Sequence, residues 1–285
     1  MPINYLQKIQ LGDFNEDGYR VSPPKAVESV IEGYYVFSRD PNDETHLIFN
    51  DGYPVLVFLQ NSEETVSVTE EKGTIEIKAV WASAGSIKNV YVKYNNNTDQ
   101  LFIVRFYPSA FYQLFGLDPQ YFRYNPVTPF ESIAKKNNFS IKEFFKSTTV
   151  EEKVAYIGKY AQNSFKETNS SSLLHKTLDY IHKEKGKSTV RNVTTDAGVN
   201  YKWLERSFLK NIGLLPKEYI QLQRFIYAYL ELVGSKDVDL MRIAISNGYY
   251  DSNHFLKDFK AYTGKTPLGY LKFQSQSNPY QIVRP

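Results

Sequence analysis

The strongest constraint on the fold is a pattern in the last third of the chain that occurs twice, 51 residues apart. Four residue types recur in the same order and at the same spacing: Phe208, Gly213, Pro216 and Tyr219, then Phe259, Gly264, Pro267 and Tyr270. A polar capping residue and an apolar residue precede each copy: Asn200 and Leu204, then Asp251 and Phe255. A cap, a buried stripe, a glycine that ends a helix and a proline that begins the next are helix signals. The repeat therefore predicts a duplicated helical module.

The repeat lies in the basic half of the chain. Residues 1–172 contain 17 Lys and Arg against 21 Asp and Glu (net −4), whereas residues 173–273 contain 16 against 10 (net +6). This asymmetry is compatible with an anionic polymer as the partner of the C-terminal half. A solvated, lysine-rich surface is the commoner explanation of a charge of this size, so the charge leaves both interpretations open.

Composition excludes several classes of protein. The 285 residues include no cysteine, which excludes disulfides, thiolate metal sites and cysteine nucleophiles. The sequence shows no N-terminal apolar signal segment and no run of about 20 apolar residues. We therefore expect a cytoplasmic protein that does not associate with a membrane, and the length favours roughly two domains.

Short runs of β-branched and aromatic residues occupy residues 33–104. The runs are residues 34–37, 46–49, 55–59, 74–77 and 101–104, and turn sequences such as Asn50-Asp51-Gly52 and Asn95-Asn96-Asn97 separate them. Strands at this spacing indicate an antiparallel sandwich or barrel. After Pro108 the apolar residues recur at helical spacing, which predicts helices that close the domain.

We predict an α+β fold with two domains. Residues 1–167 form a β-rich sandwich or barrel with trailing helices, and residues 173–275 form an all-α domain. Residues 168–172, Thr-Asn-Ser-Ser-Ser, have no apolar side chain to pack and are the predicted linker. Residues 276–285 are the predicted tail.

Within the first repeated module, a short helix from about 189 to 197 is predicted to turn at Gly198, and Asn200 caps the helix that follows. The β-branched residues of the first helix, 189 to 197, lower its helix propensity. Because successive side chains are about 100° apart, Lys202, Glu205 and Arg206 lie opposite the buried stripe.

The second module repeats this layout, with a turn at Gly248 and Asp251 as the cap. Its outward residues are Ser252, Asn253, Lys257 and Lys260. A helix from 216 to about 233 joins the modules and is about 27 Å long. Since one turn of DNA is about 34 Å, one chain could place both outer helices in successive major grooves.

These outward side chains suit recognition of bases. Lysine and arginine donate to guanine, asparagine pairs with adenine, and glutamate accepts from cytosine. Any amphipathic surface helix also carries such residues outward, but the duplication of the arrangement favours DNA.

The stretch 189–270 resembles the DNA-binding domain of AraC-type transcriptional regulators, a tandem helix-turn-helix. The resemblance rests on the repeated residues above, on Arg206, Arg224, Ile243 and Ala244, and on the run Gly248-Tyr249-Tyr250-Asp251-Ser252-Asn253-His254-Phe255. More weakly, the β-rich segment resembles the cupin-like sensor domains of the family through Phe106-Tyr107-Pro108 and Leu114-Phe115-Gly116-Leu117.

The resemblance implies roles for individual residues. Base-reading positions are Lys202, Glu205, Arg206, Ser252, Asn253 and Lys257; DNA-backbone or turn positions are Asn200, Asp251, His254 and Lys260. Double-stranded DNA is the implied partner. A small-molecule effector of the first domain is left open, because aromatic residues can line a pocket or simply fill a core.

An apolar stripe in residues 150–165, near the end of the first predicted domain, has two interpretations. Val154, Ile157, Tyr160 and Ala161 recur at helical spacing. The resemblance suggests that they form a homodimer contact, whereas packing against their own domain is equally compatible with the pattern.

No catalytic or metal site emerges. Only His46 of the four histidines lies in the β-rich segment, and a metal needs several ligands at suitable spacing. We expect no metal, no cofactor and no enzyme. The alternative hypothesis is a cupin-like small-molecule-binding or enzymatic domain whose helical tail mediates protein contacts.

Overall fold

A computed structural model describes residues 3–12, 14, 18–39, 45–95, 99–165 and 171–277. The chain divides into two compact units: residues 1–167 with 211–213, and residues 168–210 with 214–285. Residues 168–170 of the predicted linker and 278–285 of the predicted tail lie outside the described residues. A helix begins at Ser171, so the last two residues of the predicted linker are helical.

Two antiparallel sheets form the first unit. Its described strands are β1 (Gly18–Val21), β2 (Ile31–Ser38), β3 (His46–Ile48), β4 (Val55–Phe58), β5 (Thr65–Glu70), β6 (Gly73–Lys78), β7 (Val80–Ser83), β8 (Val90–Tyr94), β9 (Gln100–Phe106) and β10 (Val127–Pro129). One sheet has the order β1-β2-β9-β4-β7-β10 and the other β3-β8-β5-β6. The predicted β-rich sandwich is confirmed.

Helices cover one face of the six-stranded sheet. Helix α1 (Ile3–Leu11) is not one of them, because its Tyr5 stacks at 4.3 Å on Phe37, which points to the opposite face. The covering helices are α2 (Pro108–Leu114), α3 (Tyr121–Tyr124), α4 (Glu131–Lys136), α5 (Ile141–Phe144) and α6 (Val150–Ser164). Alternate strand residues such as Leu56, Ala82 and Val104 join one buried cluster with Phe111 and Phe144 from the trailing helices. Since side chains alternate along a strand, the residues between them point to the opposite face.

The four-stranded sheet is buried on one side only. Val66, Val68 and Val92 are fully buried, whereas Thr69 and Lys93 on the other side are exposed. A sheet with one apolar face packs that face against another layer. The residues of the six-stranded sheet that point away from the helices therefore face the interior of the sandwich.

The apolar stripe on α6 packs within the first unit. Val154, Ile157 and Ala161 belong to the same buried cluster as the strands. The Tyr160 ring stacks on that of Phe115 at 5.9 Å, and its hydroxyl donates to the Asn137 carbonyl oxygen at 3.0 Å. Of the two interpretations of this stripe, the structure supports packing against its own domain, because its side chains belong to the unit's own core.

The second unit is all helical in its described residues. Its helices are α7 (Ser171–Lys183), α8 (Val190–Ala197), α9 (Tyr201–Asn211), α10 (Pro216–Gly234), α11 (Leu240–Ser246), α12 (Ser252–Thr263) and α13 (Pro267–Ser277). Gly213 and Gly264 have positive φ of 78° and 70° after α9 and α12, and the repeated prolines begin α10 and α13. The predicted duplication is confirmed in the backbone.

Helix α10 connects the two modules through its aromatic residues. Near its start, Tyr219 packs edge-to-face on Phe208 of α9 at 5.6 Å and hydrogen-bonds His182 Nε2 of α7 at 2.7 Å. In its middle, Phe225 stacks on Tyr262 of α12 at 4.4 Å. Aromatic pairs contribute about 0.5–1.5 kcal/mol beyond the area they bury, so both modules are anchored to one rigid helix.

Candidate DNA-binding surface

Side-chain caps and a glycine turn define the first helix-turn-helix, which consists of α8 and α9. The Thr189 hydroxyl accepts from the Asn192 amide at 3.2 Å, and the Asn192 side chain accepts from the Thr189 amide at 3.0 Å. This reciprocal cap offsets the low helix propensity of the β-branched residues in α8. Gly198 ends α8 with φ +64°, and Asn200 Oδ1 accepts from the Trp203 amide at 2.9 Å, so the predicted cap of α9 is present.

Helix α9 presents its predicted residues on the side away from the core. Leu204 and Phe208 are fully buried. Lys202 and Arg206 are exposed, and Glu205 is partly buried. The outward face therefore offers two cations beside one carboxylate, as the helical periodicity predicted.

Sequence reasoning missed Tyr201 at the start of the same helix. Its side chain is 52 % exposed, and its hydroxyl donates to Glu205 Oε1 at 3.3 Å. The Glu205 carboxylate raises the pKa of Tyr201. Tyr201 thus lies beside Glu205 on the outward face.

The second helix-turn-helix, α11 and α12, is set by two acidic caps. Asp239 accepts from the Arg242 amide at 3.0 Å, and Asp251 accepts from the His254 amide at 2.8 Å. Gly248 turns the chain between the helices with φ +79°. His254 Nδ1 also lies 3.1 Å from Asp251 Oδ1 while its side chain remains 60 % exposed. This geometry agrees with a turn-fixing role for His254.

Helix α12 presents the remaining predicted residues to solvent. Asn253, Lys257 and Lys260 are exposed, and Ser252 is partly buried at the first position of the helix. Sequence reasoning did not assign a role to Tyr250, which is 86 % exposed and meets the His254 ring edge-on at 6.2 Å. A large exposed aromatic group thus stands directly before the cap of α12.

Glu231 of α10 organises the end of α11. Its Oε2 accepts from Asn247 Nδ2 at 2.7 Å and from the Ser246 hydroxyl at 2.9 Å, and its Oε1 pairs with Arg242 Nη1 at 2.8 Å. Asn247 is buried and also donates to the Ile243 carbonyl oxygen. One carboxylate therefore holds polar groups at both ends of α11, Arg242 in its first turn and Ser246 and Asn247 at its end.

Arg224 of α10 links the segment after α7 to the second module. Its Nε donates to the Gly186 carbonyl oxygen at 3.0 Å, and its guanidinium carbon lies 5.7 Å from the centroid of the Tyr249 ring. Arg224 thus contacts both segments of the protein and holds them together on α10.

The remaining predictions concern His46, a metal site and a membrane-spanning helix. His46 is buried, and burial, with a smaller effect from Arg39, lowers its pKa to about 4. Among the described residues, no three His, Asp or Glu side chains converge in a group that could hold a metal ion. No helix in the described part of the chain is long and apolar enough to cross a membrane.

Comparison with protein families gives two matches that follow the division into units. Residues 193–272 match a helix-turn-helix domain family, and residues 19–127 match a domain family of unknown function, DUF6597. The first match includes α9 to α12, and therefore every residue predicted to read bases. The second lies entirely within the β-rich unit.

Individual proteins also resemble the chain. The Msm operon regulatory protein of Streptococcus mutans is 30% identical over 121 residues, which is 41% of this chain and 43% of that protein. The matched part therefore spans less than half the length of this relative.

Among solved structures, ToxT from Vibrio cholerae is similar over 90% of this chain and 97% of its own, with 14% identity and a TM-score of 0.44. A Chromobacterium violaceum transcriptional regulator described by its AraC-type DNA-binding domain is similar over 40% of this chain and 99% of its own, with 18% identity and a TM-score of 0.35.

Proposed function

We propose that this chain is a cytoplasmic, sequence-specific transcriptional regulator of the AraC type that reads two successive major grooves of one DNA site. The proposal is supported by the match of residues 193–272 to a helix-turn-helix domain family and by the resemblance of residues 189–270 to the AraC-type DNA-binding domain. Helix α9 enters one groove and helix α12 the next. Lys202, Glu205 and Arg206 read bases in the first, and Ser252, Asn253 and Lys257 in the second.

The observation that carries this proposal is the duplicated outward face. Each module buries an apolar stripe of its second helix and exposes polar side chains on the opposite side: two cations beside a carboxylate on α9, and an amide with two lysines on α12. A single such helix is ordinary on a protein surface. Two copies, each preceded by a capped tight turn and both packed on α10, match the requirements of groove recognition.

The assigned side chains have three roles: positioning the helix starts, contacting phosphates and reading bases. Asn200 and Asp251 already accept from backbone amides, so they position the first turns of α9 and α12. Exposed Lys260 is assigned to a phosphate contact, and His254 to the turn or to a phosphate; phosphate contacts supply affinity without sequence information. Discrimination between sequences then falls to the six base-reading residues.

The resemblance also supports control by a small molecule bound in the first unit, and assembly of two chains on a longer operator. A homodimer would have to use a surface other than the apolar stripe of α6, because that stripe is buried.

The first test is a selection of random double-stranded DNA on the full chain, followed by a salt titration of the enriched site. We expect two short motifs about one helical turn apart, and affinity that falls steeply with salt. Salt-sensitive binding without an enriched motif would refute sequence-specific reading. No binding at all would refute the proposed function.

The residue assignments need separate variants. Arg206→Ala and Asn253→Ala should each cost about 1–3 kcal/mol of binding free energy and relax the preference at one base pair. Lys210→Ala is the matched control, since Lys210 is exposed on the last turn of α9 outside the assigned positions. It should weaken all sequences alike. Equal, uniform losses from all three variants would contradict the base-reading roles.

A further inference from the structure

The turn of the second helix-turn-helix contains one residue more than the turn of the first. Two backbone hydrogen bonds close each turn, at 3.0 to 3.3 Å, and they recur 50 residues apart: from Gly198 to Thr195 and Val199 to Thr194, then from Gly248 to Ile245 and Tyr249 to Ala244. The capping residues that follow, Asn200 and Asp251, are 51 residues apart. Tyr250 is therefore an inserted residue that has no counterpart in the first module.

The packing of the turn does not require this residue. Tyr249 is buried, and its ring lies 5.4 Å from that of Phe255. Tyr250 is instead 86 % exposed, and its ring meets the His254 ring edge-on at 6.2 Å. The His254 side chain is itself 60 % exposed. Two adjacent rings thus project into solvent from the start of α12, where they are available to a partner.

Tyr250 lies at the edge of the surface proposed to enter the major groove. It directly precedes Asp251, the cap of α12, and the N-terminal residues of a recognition helix are the ones that contact base edges. His254, its ring neighbour, is three positions before Lys257 and so lies about 60° from it around the helix. The Tyr250 ring is therefore beside the outward face, on the side of Lys257.

An apolar reader is the one type of group that the assigned residues lack. All six proposed base-reading residues are polar, so they recognise hydrogen-bond donors and acceptors. The major-groove edge of thymine also carries a C5-methyl group, which is recognised by apolar contact. An exposed aromatic ring and an exposed methyl group both lose contact with water when they pack together, which stabilises the complex.

Building on the proposed function, we propose that Tyr250 is a further specificity-determining residue, whose ring packs on the C5-methyl group of a thymine in the groove occupied by α12. The half-site of α12 then contains a thymine at one fixed position, beside the bases read by Asn253 and Lys257.

Replacement of thymine by deoxyuridine tests this contact, because it removes only the methyl group. The probe is the duplex selected from random DNA on the full chain, with each thymine replaced in turn. The half-motif of α12 is the one in which Asn253→Ala relaxes the base preference. We expect one replacement in it to weaken binding about three- to fourfold, the effect of one buried methyl group. In Tyr250→Ala, the thymine and deoxyuridine duplexes should bind equally.

Two further variants separate the ring from the hydroxyl and from exposed tyrosines in general. Tyr250→Phe keeps the ring and should keep the preference for thymine over deoxyuridine. Tyr124→Ala is the matched control, since Tyr124 is 68 % exposed in the first unit, and it should also keep the preference. Because Tyr250 is so exposed, Tyr250→Ala should leave the urea midpoint of the second unit unchanged, which excludes unfolding as the cause of its effect.

The proposal is overturned if the half-motif of α12 contains no thymine, if every deoxyuridine replacement in it is neutral, or if the loss persists in Tyr250→Ala. A loss of affinity in Tyr250→Phe without sensitivity to deoxyuridine would assign the hydroxyl to a phosphate and would overturn it too. Sequence-specific binding survives in each of these outcomes. They are therefore distinguishable from failure of the regulator function, in which no site is selected.

Discussion

Two glycines in the second unit have the same backbone conformation but very different surroundings. Gly186 and Gly198 have φ of +68° and +64°. A Cβ added at Gly186 would lie 2.3 Å from the Arg224 amide nitrogen and 2.7 Å from the Ile220 carbonyl oxygen, whereas a Cβ at Gly198 would meet nothing within 4 Å. The pair therefore separates conformational strain from a steric clash.

The expected losses follow from these contacts. An L-residue in the left-handed region costs about 1–2 kcal/mol, and this cost applies to both Gly186→Ala and Gly198→Ala. Only Gly186→Ala also forces the new methyl group against the backbone of α10, which adds about 1–3 kcal/mol. We expect Gly198→Ala to lower the free energy of unfolding of the second unit by about 1–2 kcal/mol and Gly186→Ala by roughly 2–5 kcal/mol.

The assay is urea unfolding of the full chain followed by tryptophan fluorescence. In a Trp81→Phe background the signal comes only from Trp203, which lies on α9 of the second unit. The slope of free energy against urea should be the same for both variants, so their midpoints can be compared directly. Equal losses for Gly186→Ala and Gly198→Ala would refute the argument that α10 closely approaches Gly186.

Three further predictions test the scaffold and the first unit. Glu231→Ala should lower the stability of the second unit by about 2–3 kcal/mol, because charged hydrogen bonds to Asn247 and its neighbours are lost; the Trp203 assay measures it, and an unchanged midpoint would contradict it. Asp251→Ala should cost about 1 kcal/mol in the same assay, whereas Asp251→Asn should cost little because asparagine also caps helices. Because the pKa of His46 falls from 6.5 to about 4 on folding, the unfolded state binds the proton more tightly and the first unit should lose stability as pH falls from about 6.5 to 4. The slope should approach about 1.4 kcal/mol per pH unit, followed by Trp81 fluorescence in the Trp203→Phe variant; His46→Leu should flatten it, and a slope that persists would show that other groups cause it.

The sequence was most informative where structure is governed by neighbouring residues. Glycine at a left-handed helix end, proline at a helix start and a polar cap each act within one turn of helix. The order of the helices in both modules could therefore be predicted from the sequence. The β-rich unit was predicted less completely: β1, β5, β7, β8 and β10 were missed. Strand β7 is the clearest case, because Ala82 and Ser83 have little strand propensity and are held there by pairing with β4 and β10.

The outward residues could also be predicted from local sequence, whereas the groups that position them could not. The exposure of Lys202 or Asn253 follows from helical periodicity alone, and the structure places both outward. Glu231 and Arg224 could not be recognised in this way, since their partners are 16 and 38 residues away in sequence, at Asn247 and Gly186. Both lie on α10, which carries none of the proposed base-reading residues. A change in α10 can therefore alter the position of α12, and with it the proposed reading of DNA, without removing any of the proposed contacts to DNA.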